Sequence, residues 1–557
     1  MYPRIRQTGI FLLLWAPLFV SPAWAQIAGD VSSSLRQMLT APQAFFPLIG
    51  DIPRGPDTLR ELYRGHGYAP IWEQSGRPTI QAQRLTQVLL EADAYGLRPS
   101  DYDADSIAAQ IQELLTAPAI AAGRQAEFDL RLSGSVLRFA RHLHYGRVDP
   151  RDCGFQLYVP RSDLDEIAVV ARLATTNDTY ADLAAIEPPF NHYRLLKAAL
   201  AKYRRLASDT SLNDLPEFSV RSVRPGEPYS GAAALRRLLV ALGDLNTGEV
   251  GSSPDDTLDD ALSAALKSFQ RRHGLVADGI LGKRTFAALT VPLVHRKRQI
   301  ELTLERWRWL QPFTTPPIVV NLPAFRLYAF RTTDDRERDM LKMDVIIGQS
   351  YPETQTPVFL AEMKYVVFRP YWDVPDSIVQ REMLPEIRSH PRFLQRNHLE
   401  LVRGWKDDSP IVPPTPKNIE ALASGGLRLR QQPGRDNALG AIKFALPNHH
   451  SVYLHATPAP NLFKESSRAL SHGCIRVSHP VALAEYVLRN TPGDWTPENI
   501  RRAMNGEPNQ RVELSKPIRV MILYGTAMAT ESGQVLFFDD IYGHDEKLEK
   551  LLQARNS

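Results

Sequence analysis

Apolar residues recur at three- and four-residue spacing through roughly the first 220 residues, which is the pattern of amphipathic helices. The stripe includes Leu59, Leu62, Tyr63, Leu85, Val88, Leu89, Phe128, Leu132 and Val136. His142 and His144 lie two residues apart, on different helix faces, which argues against a metal-binding pair. We therefore expect residues 26–227 to form a helical scaffold domain without chemistry of its own.

A second helical stripe begins near residue 228 and ends near residue 292. Its first helix is expected to stop at Gly243, since glycine commonly caps a helix end. Further glycines at 274, 279 and 282 fit sharp turns between short helices. The pattern predicts a small three-helix module, and a generic helical spacer is the alternative.

From residue 300 the period changes from that of helices to that of strands. Residues 318–323 and 326–330 predict a hairpin, and residues 518–524 predict a final strand. We expect a β-rich domain over residues 300–530, followed by a tail of residues 531–557 with a short helix. Residues 376–430, with a helical run and a proline-rich stretch, read as an insertion of the lid type.

The first 25 residues have the pattern of an export signal. Arg4 and Arg6 precede an apolar run of 11 residues, and Ala23-Trp24-Ala25 fits a cleavage site before Gln26. A membrane span needs about 20 apolar residues. We therefore expect a periplasmic protein with no stable membrane anchor after cleavage.

Charge and cysteine content narrow the chemistry. The net charge is +4, from 66 basic and 62 acidic residues, which argues against nucleic acid as a main partner. Cys153 and Cys474 are the only two cysteines. Pairing them would silence any nucleophile, so we read both as free thiols and give Cys153 no role.

Cys474 is the candidate nucleophile, because it lies in a glycine-bearing turn and follows His455 by 19 residues. A thiol needs a nearby base to react at neutral pH, and histidine is the usual base. A buried structural cysteine is one alternative. A zinc site built from Cys474, His455, His472 and His479 is the other, although these residues lack a paired ligand spacing.

Four segments occur here in one order: Asn437-Ala438-Leu439-Gly440, Lys443-Phe444, Val452-Tyr453-Leu454-His455, and residues 471–477 around Cys474. Together they resemble the catalytic domain of the L,D-transpeptidases, which cross-link peptidoglycan through a cysteine. The large periplasmic YcbB-type members are the most similar. Residues 228–292 likewise resemble a peptidoglycan-binding module, and the region before them a scaffold domain. The fold class expected is therefore multidomain α+β, with a capping subdomain at about 376–430.

The resemblance and the local pattern together assign roles to the residues around Cys474. His455 is the expected base, and the resemblance implies that the Ala456 carbonyl orients its ring. Gly473 lets backbone N–H groups approach an oxyanion, and Tyr453 adds its hydroxyl. Arg476 is expected to pair with a substrate carboxylate or to brace the loop. The remaining expected contributors are His472, Ser471 and Trp372, the last of which is either a cleft wall or ordinary core.

The resemblance also implies a reaction without a cofactor or metal. Cys474 would attack the third residue of a donor tetrapeptide, and the amine of a diamino acid on a second stem would resolve the thioester into a 3-3 cross-link. The binding module would hold the glycan polymer, and carbapenems would acylate the same cysteine. Alternatives within the fold are an L,D-carboxypeptidase and an enzyme that attaches or detaches a lipoprotein. A catalytically silent wall-binding protein is the alternative outside enzymes.

Overall fold

The computed structural model describes residues 30–40, 54–117, 120–157, 163–216, 220–246, 256–338, 340–406, 408–506 and 508–554. The expected signal segment of residues 1–25 lies outside the described residues. The chain divides into two compact units. Unit 1 draws on Met1–Glu91, Pro99–Ala140 and Asp165–Leu183, and unit 2 on Ala92–Arg98, Arg141–Leu164 and Ala184–Ser557.

The N-terminal part of the chain is helical, as predicted, with one small hairpin. Its elements are α1 (Val31–Thr40), α2 (Gly55–Gly65), β1 (Glu73–Gln74), β2 (Arg77–Pro78), α3 (Ile80–Leu90), α4 (Ala104–Thr116), α5 (Ala122–Tyr145), α6 (Glu166–Thr175) and α7 (Thr179–Ala184). Asp129 of α5 is fully buried in unit 1. It accepts hydrogen bonds from the Tyr63 hydroxyl (2.5 Å) and from the N–H groups of Ile71 (2.9 Å) and Trp72 (2.7 Å). One buried carboxylate thus holds the chain that enters the hairpin.

The remaining helices of the described residues lie between residues 191 and 554. They are α8 (Asn191–Ser208), α9 (Ala232–Leu242), α10 (Asp260–Arg272), α11 (Lys283–Leu289), α12 (Leu293–Trp307), α13 (Asp376–Ile378), α14 (Leu384–Ser389), α15 (Phe393–Arg396), α16 (Pro416–Ala423), α17 (Pro480–Leu488), α18 (Pro497–Asn505) and α19 (His544–Ala554). A π-helical turn, Val379–Met383, joins α13 to α14. As predicted, α9 ends at Gly243 with φ of 87°.

We had expected the strand pattern to begin at residue 300, but the chain is still helical there. Helix α12 continues to Trp307, and Ile300 and Leu304 are fully buried on it. Charged residues interrupt the apolar stripe and hide the helical period. Those buried on or just after α12 are Glu301, Glu305, Arg306 and Arg308.

The β-rich domain is built on one nine-stranded sheet. Between the first hairpin and this sheet, β3 (Ser222–Val223) and β4 (Leu281–Gly282) pair with each other. The sheet consists of β5 (Ile318–Asn321), β6 (Arg326–Ala329), β7 (Leu341–Gly348), β8 (Phe359–Phe368), β13 (Ile442–Ala445), β14 (Leu454–His455), β15 (Ala469–Ser471), β16 (Ile475–Val477) and β17 (Gln510–Leu523), with the order β15-β7-β16-β14-β13-β8-β17-β5-β6. Because β6 also pairs with β7, the sheet closes on itself. The predicted hairpin is present as the antiparallel pair β5–β6.

The expected insertion forms a small subdomain with its own sheet and core, which we call the cap. Its strands are β9 (Trp372–Asp373), β10 (Leu399–Val402), β11 (Ile411–Val412) and β12 (Arg428–Gln431), in the order β11-β10-β12-β9. Ile378, Leu384, Leu401 and Leu429 belong to a separate apolar cluster beneath this sheet. The cap therefore begins at β9, four residues before the predicted boundary at 376.

The three-helix module of α9, α10 and α11 is present, but it has no separate hydrophobic core of its own. Leu235 and Phe269 lie in one continuous core with Val319 and Met521 of the catalytic sheet. Arg272 is 5 % exposed, pairs with Asp244 (2.5 Å) and donates to the Val535 carbonyl (2.9 Å). The module is thus part of the same hydrophobic core as the β-rich domain.

We had predicted that residues 518–524 form the final strand, but β17, which contains most of them, is not the last strand. A two-stranded hairpin follows it, formed by β18 (Ala527–Ala529) and β19 (Val535–Phe537). The helix predicted in the tail is α19. Within the described chain, no helix is both long and apolar enough to cross a membrane.

Candidate active site

Three neighbouring strands place the candidate residues on one face of the sheet. His455 of β14 is paired with Lys443 of β13 on one side and with Arg476 of β16 on the other. Side chains of paired residues point to the same face, and residues two apart along a strand share that face. Tyr453 and Cys474 therefore lie in the next row, beside the row of Lys443, His455 and Arg476. The contact of the Tyr453 and His455 rings, with centroids 5.7 Å apart, agrees with this placement.

The turn before β16 is held by a hydroxyl network. Gly473 has φ of 114°, which favours glycine strongly. The Ser471 hydroxyl donates to the Cys474 carbonyl (2.6 Å) and accepts from the Gly473 N–H (3.2 Å). The Thr356 hydroxyl donates to the Gly473 carbonyl (2.8 Å). Ser471, expected to touch substrate, thus shapes the nucleophile turn.

His455 is a buried, neutral imidazole. It is 4 % exposed, and its pKa is lowered to about 3, first by burial and then by the charge of Arg476. The carbonyls of Ala456 and Leu439 raise that pKa in part, because they favour a protonated ring. Among the described residues, Nδ1 has no hydrogen-bond partner. The carbonyls of Ala456 and Leu439 are near enough to influence the ring, and the orienting role of Ala456 stays a prediction.

Cys474 carries a protonated thiol at neutral pH. Burial raises its pKa, while the N–H and O–H groups of Tyr453 lower it in part, since both stabilise a thiolate. Lys443 and Arg476 add smaller effects of the same sign. In this state Sγ donates to the Ser451 carbonyl at 3.7 Å. The site thus holds a neutral thiol and a neutral imidazole, and the thiol proton must move during attack.

The backbone around Cys474 offers fewer oxyanion donors than the sequence suggested. The Gly473 N–H is engaged by Ser471, and the Ile475 N–H donates to the Tyr453 carbonyl at 3.0 Å. Among the described residues this leaves the Cys474 N–H, together with the Tyr453 hydroxyl if that hydroxyl turns from the sulfur to the oxyanion during attack. Two donors of this kind suffice for an oxyanion hole.

The cap reaches this site through two contacts. Trp372 of β9 hydrogen-bonds with the Tyr453 hydroxyl and lowers the pKa of that hydroxyl in part, although burial keeps the pKa of Tyr453 well above its usual value. His472, in the nucleophile turn, lies 2.9 Å from Glu382 of the π-helical turn, measured between Nε2 and Oε1. Trp372 thus contacts Tyr453 while it also packs on the core of the cap, and His472 faces the cap.

Comparison with known families finds matches to three parts of the chain. Residues 57–200 match the scaffold domain family, residues 229–289 a putative peptidoglycan-binding domain, and residues 316–496 the L,D-transpeptidase catalytic domain of the YkuD family. The chain carries an L,D-transpeptidase catalytic domain. The predicted family, its YcbB-like domain order and the α+β fold class are confirmed.

A curated relative is also named as an L,D-transpeptidase. The chain is similar to a putative L,D-transpeptidase of Haemophilus influenzae (strain ATCC 51907 / DSM 11121 / KW20 / Rd), with 28% identity over 252 residues. The aligned region covers 45% of this chain and 49% of that protein. The chain thus spans about half the length of this relative.

The structure does not assemble the alternative zinc site in the transpeptidase domain. His472 faces the cap, and the His479 Nδ1 lies 2.7 Å from the Ser478 hydroxyl. Across the described ranges, no group of three or more His, Cys, Asp or Glu residues could hold a metal ion. Cys153 is a free, buried thiol whose pKa burial raises to about 11.

Sequence reasoning missed two contributors to the transpeptidase site. Lys443 was part of the recognised motif but had no role, and it lies with Nζ 4.0 Å from the centre of the Tyr453 ring. Gly440 has φ of 63°, and a Cβ there would lie 2.8 Å from the Ala456 Cβ, so only glycine lets Leu439 approach His455. The motif order was the only available signal, because both roles depend on strand register.

Proposed function

We propose that this protein is a peptidoglycan L,D-transpeptidase that forms 3-3 cross-links through a thioester on Cys474. One observation carries the proposal: a protonated thiol and a neutral imidazole lie on one face of the sheet, in adjacent rows of an L,D-transpeptidase domain. A neutral imidazole can accept a proton, whereas an imidazolium cannot.

In the first half-reaction, Cys474 Sγ attacks the carbonyl of the third stem residue while His455 takes the thiol proton. The oxyanion is stabilised by the Cys474 N–H and the Tyr453 hydroxyl, each worth about 3 kcal/mol in comparable sites. Collapse of the tetrahedral intermediate breaks the peptide bond. His455 returns the proton to the departing amine of D-alanine, and the thioester remains.

In the second half-reaction, the side-chain amine of a diamino acid on another stem attacks the thioester. His455 takes the amine proton and returns it to the sulfur as the thiolate leaves, which restores the starting state. Water in place of the amine makes the enzyme an L,D-carboxypeptidase. The cap contacts at Trp372 and His472 support transfer, because a covered cleft admits less water.

Location and partners follow from the domain set. A peptidoglycan-binding module beside the catalytic domain supports a cell-wall substrate in the periplasm. The module would raise the local concentration of stem peptides on the glycan polymer.

Mass spectrometry of purified muropeptides incubated with the protein tests the proposal. We expect cross-linked dimers, with tripeptide as a by-product. Tripeptide alone would replace the proposal with the carboxypeptidase, and unchanged tetrapeptide would overturn both.

A further inference from the structure

The peptide group between Gly473 and Cys474 carries an expected oxyanion donor, the Cys474 N–H. These two residues have four backbone polar groups, and three of them are hydrogen-bonded to side-chain hydroxyls. Ser471 binds the Gly473 N–H and the Cys474 carbonyl, and Thr356 donates to the Gly473 carbonyl at 2.8 Å. Within the described part of the chain, the Cys474 N–H is the one group of the four that makes no hydrogen bond.

The hydrogen bond to the Gly473 carbonyl fixes the direction of that N–H. A peptide group is planar and trans, so its N–H points in the opposite direction to its carbonyl. Because Thr356 lies on the carbonyl side, the Cys474 N–H points away from Thr356. Gly473 has φ of 114°, in a region where glycine moves more freely than other residues, so the backbone alone restrains this peptide plane weakly. The Thr356 hydroxyl adds the missing restraint.

Thr356 is itself hydrogen-bonded on two sides. Its hydroxyl accepts from the Gly348 N–H at 2.9 Å, which directs its single proton to the Gly473 carbonyl. Its backbone N–H donates to the Tyr542 hydroxyl at 3.3 Å, and that hydroxyl donates to the Gly348 carbonyl at 2.6 Å. Tyr542 thus joins the end of β7 to the residue that restrains the peptide plane.

Tyr542 belongs to the tail, after the residues 316–496 that match the catalytic family. Its N–H donates to the Tyr524 hydroxyl at 3.0 Å, and its side chain packs against the core of the catalytic sheet. Helix α19 follows, with Leu548 fully buried in the same core. Burial raises the pKa of Tyr542 to about 12, so its hydroxyl keeps the proton that it donates. The tail therefore places a fixed hydroxyl beside Thr356.

We infer that Tyr542 is a positioning residue for the reaction, which acts through Thr356 on the direction of the Cys474 N–H. This inference rests on the proposed function and gives the tail a part in it. Attack on the stem carbonyl forms an oxyanion, and the donor has to point at the place where that charge develops. A reaction of the same sulfur that forms no oxyanion does not need this donor.

The test compares two reactions of Cys474 in Tyr542→Phe, which removes the hydroxyl and keeps the ring. Release of the terminal residue from a tetrapeptide donor passes through an oxyanion, whereas alkylation by iodoacetamide does not. Removing an oxyanion donor lowers kcat by about 10²- to 10³-fold. Because the donor here is misdirected and not removed, we expect kcat to fall about five- to fiftyfold with KM nearly unchanged. The alkylation rate at pH 8 should stay within about twofold of that of the unaltered enzyme, because it needs no oxyanion donor.

Thr356 provides a second pair of variants. Thr356→Val should lower kcat about ten- to a hundredfold, more than Tyr542→Phe, because it removes the direct hydrogen bond to Gly473. Thr356→Ser keeps a hydroxyl and should restore most of the loss. If Tyr542→Phe did not fold, the difference between these two variants on the same two reactions would decide.

Tyr145→Phe is the matched control. The Tyr145 hydroxyl also donates to a side chain, that of Asp163 (2.8 Å), and accepts from a backbone N–H, that of Leu164 (2.9 Å). It lies outside the residues that match the catalytic family. We expect this variant to react like the unaltered enzyme in both assays.

Two results would overturn the inference alone. One is an unchanged kcat in Tyr542→Phe. The other is a Tyr542→Phe variant in which acylation and alkylation change by the same factor, which would mean that the tail only stabilises the loop around the cysteine. An unaltered enzyme that releases no terminal residue from the donor would overturn the proposed function, and this inference with it.

Discussion

At the scale of single residues, the state of Cys474 decides how the site works. Burial raises the pKa of its thiol and lowers the pKa of His455, so both groups are neutral near pH 7. Other cysteine enzymes use a preformed thiolate beside an imidazolium, which requires shifts of the opposite sign. The geometry here favours general-base activation during attack.

We predict the pH profile of alkylation at Cys474. Below the pKa of a thiol, the thiolate fraction rises about tenfold per pH unit. Because the pKa of Cys474 lies above its usual value, the rate with iodoacetamide should climb from pH 6 to pH 9 without a plateau. A plateau that begins below pH 7 would indicate a preformed ion pair and contradict the neutral state.

The Tyr453 hydroxyl should make the thiolate easier to form. Tyr453→Phe removes that donor and leaves the backbone N–H in place, so the pKa of Cys474 should rise further. A hydrogen bond to a charged group contributes about 1.5 to 3 kcal/mol, which corresponds to a roughly tenfold or larger fall in alkylation rate at pH 8. Tyr351→Phe, at an exposed tyrosine, should leave the rate unchanged. Equal rates in the two variants would rule out this role.

At the scale of elements, the cap and the nucleophile turn meet through an exposed ion pair. His472 and Glu382 are 43% and 48% exposed, respectively, so their contact is weak. The π-helical turn that carries Glu382 is a type of irregularity that occurs frequently at functional sites. We therefore assign the pair a role in how tightly the cap closes.

Glu382→Ala should raise the ratio of hydrolysis to transfer by about 1.4- to fivefold, as expected for losing an exposed pair of about 0.2 to 1 kcal/mol. Muropeptide analysis gives the ratio directly. The control is Glu386→Ala, which removes a similar exposed pair with His390 elsewhere in the cap. The same ratio in both variants would mean that this contact does not control water access.

The elements themselves were largely readable from the sequence, and the exceptions have physical causes. The β5–β6 hairpin and the end of α9 at Gly243 follow from local patterns. The predicted end of the helical pattern at residue 300 was too early, because buried charged residues interrupt the apolar stripe of α12. The row of Lys443, His455 and Arg476 was missed because it depends on the register between three strands, which a single sequence does not reveal.

At the scale of the whole molecule, the binding module and the catalytic sheet share one core. The sequence predicted a small module of three helices, but α9 and α10 bury their apolar faces together with residues of β5 and β17. Removing residues 228–292 would therefore expose core of the catalytic domain. Point substitutions are the sharper test of this coupling.

Arg272→Ala should destabilise the protein by about 3 to 5 kcal/mol, because Asp244 would be left as a buried charge without a partner. Urea unfolding, monitored by the loss of tertiary signal from the catalytic domain, measures the change in the free energy of unfolding. Arg271→Ala, at the exposed neighbouring position, should change the free energy of unfolding by less than about 0.5 kcal/mol. If the catalytic domain of the Arg272→Ala variant unfolded at the same urea concentration as the unaltered protein, the module and the sheet would be independent.

The central claim is that Cys474 forms the acyl-enzyme, and intact-mass spectrometry with a tetrapeptide donor or a carbapenem tests it most directly. We predict one adduct per chain, located at Cys474 by peptide mapping, in both the unaltered protein and Cys153→Ala. Cys474→Ala should give neither adduct nor cross-linked product while keeping its fold. Product formation by Cys474→Ala, or an adduct located at Cys153, would contradict the account.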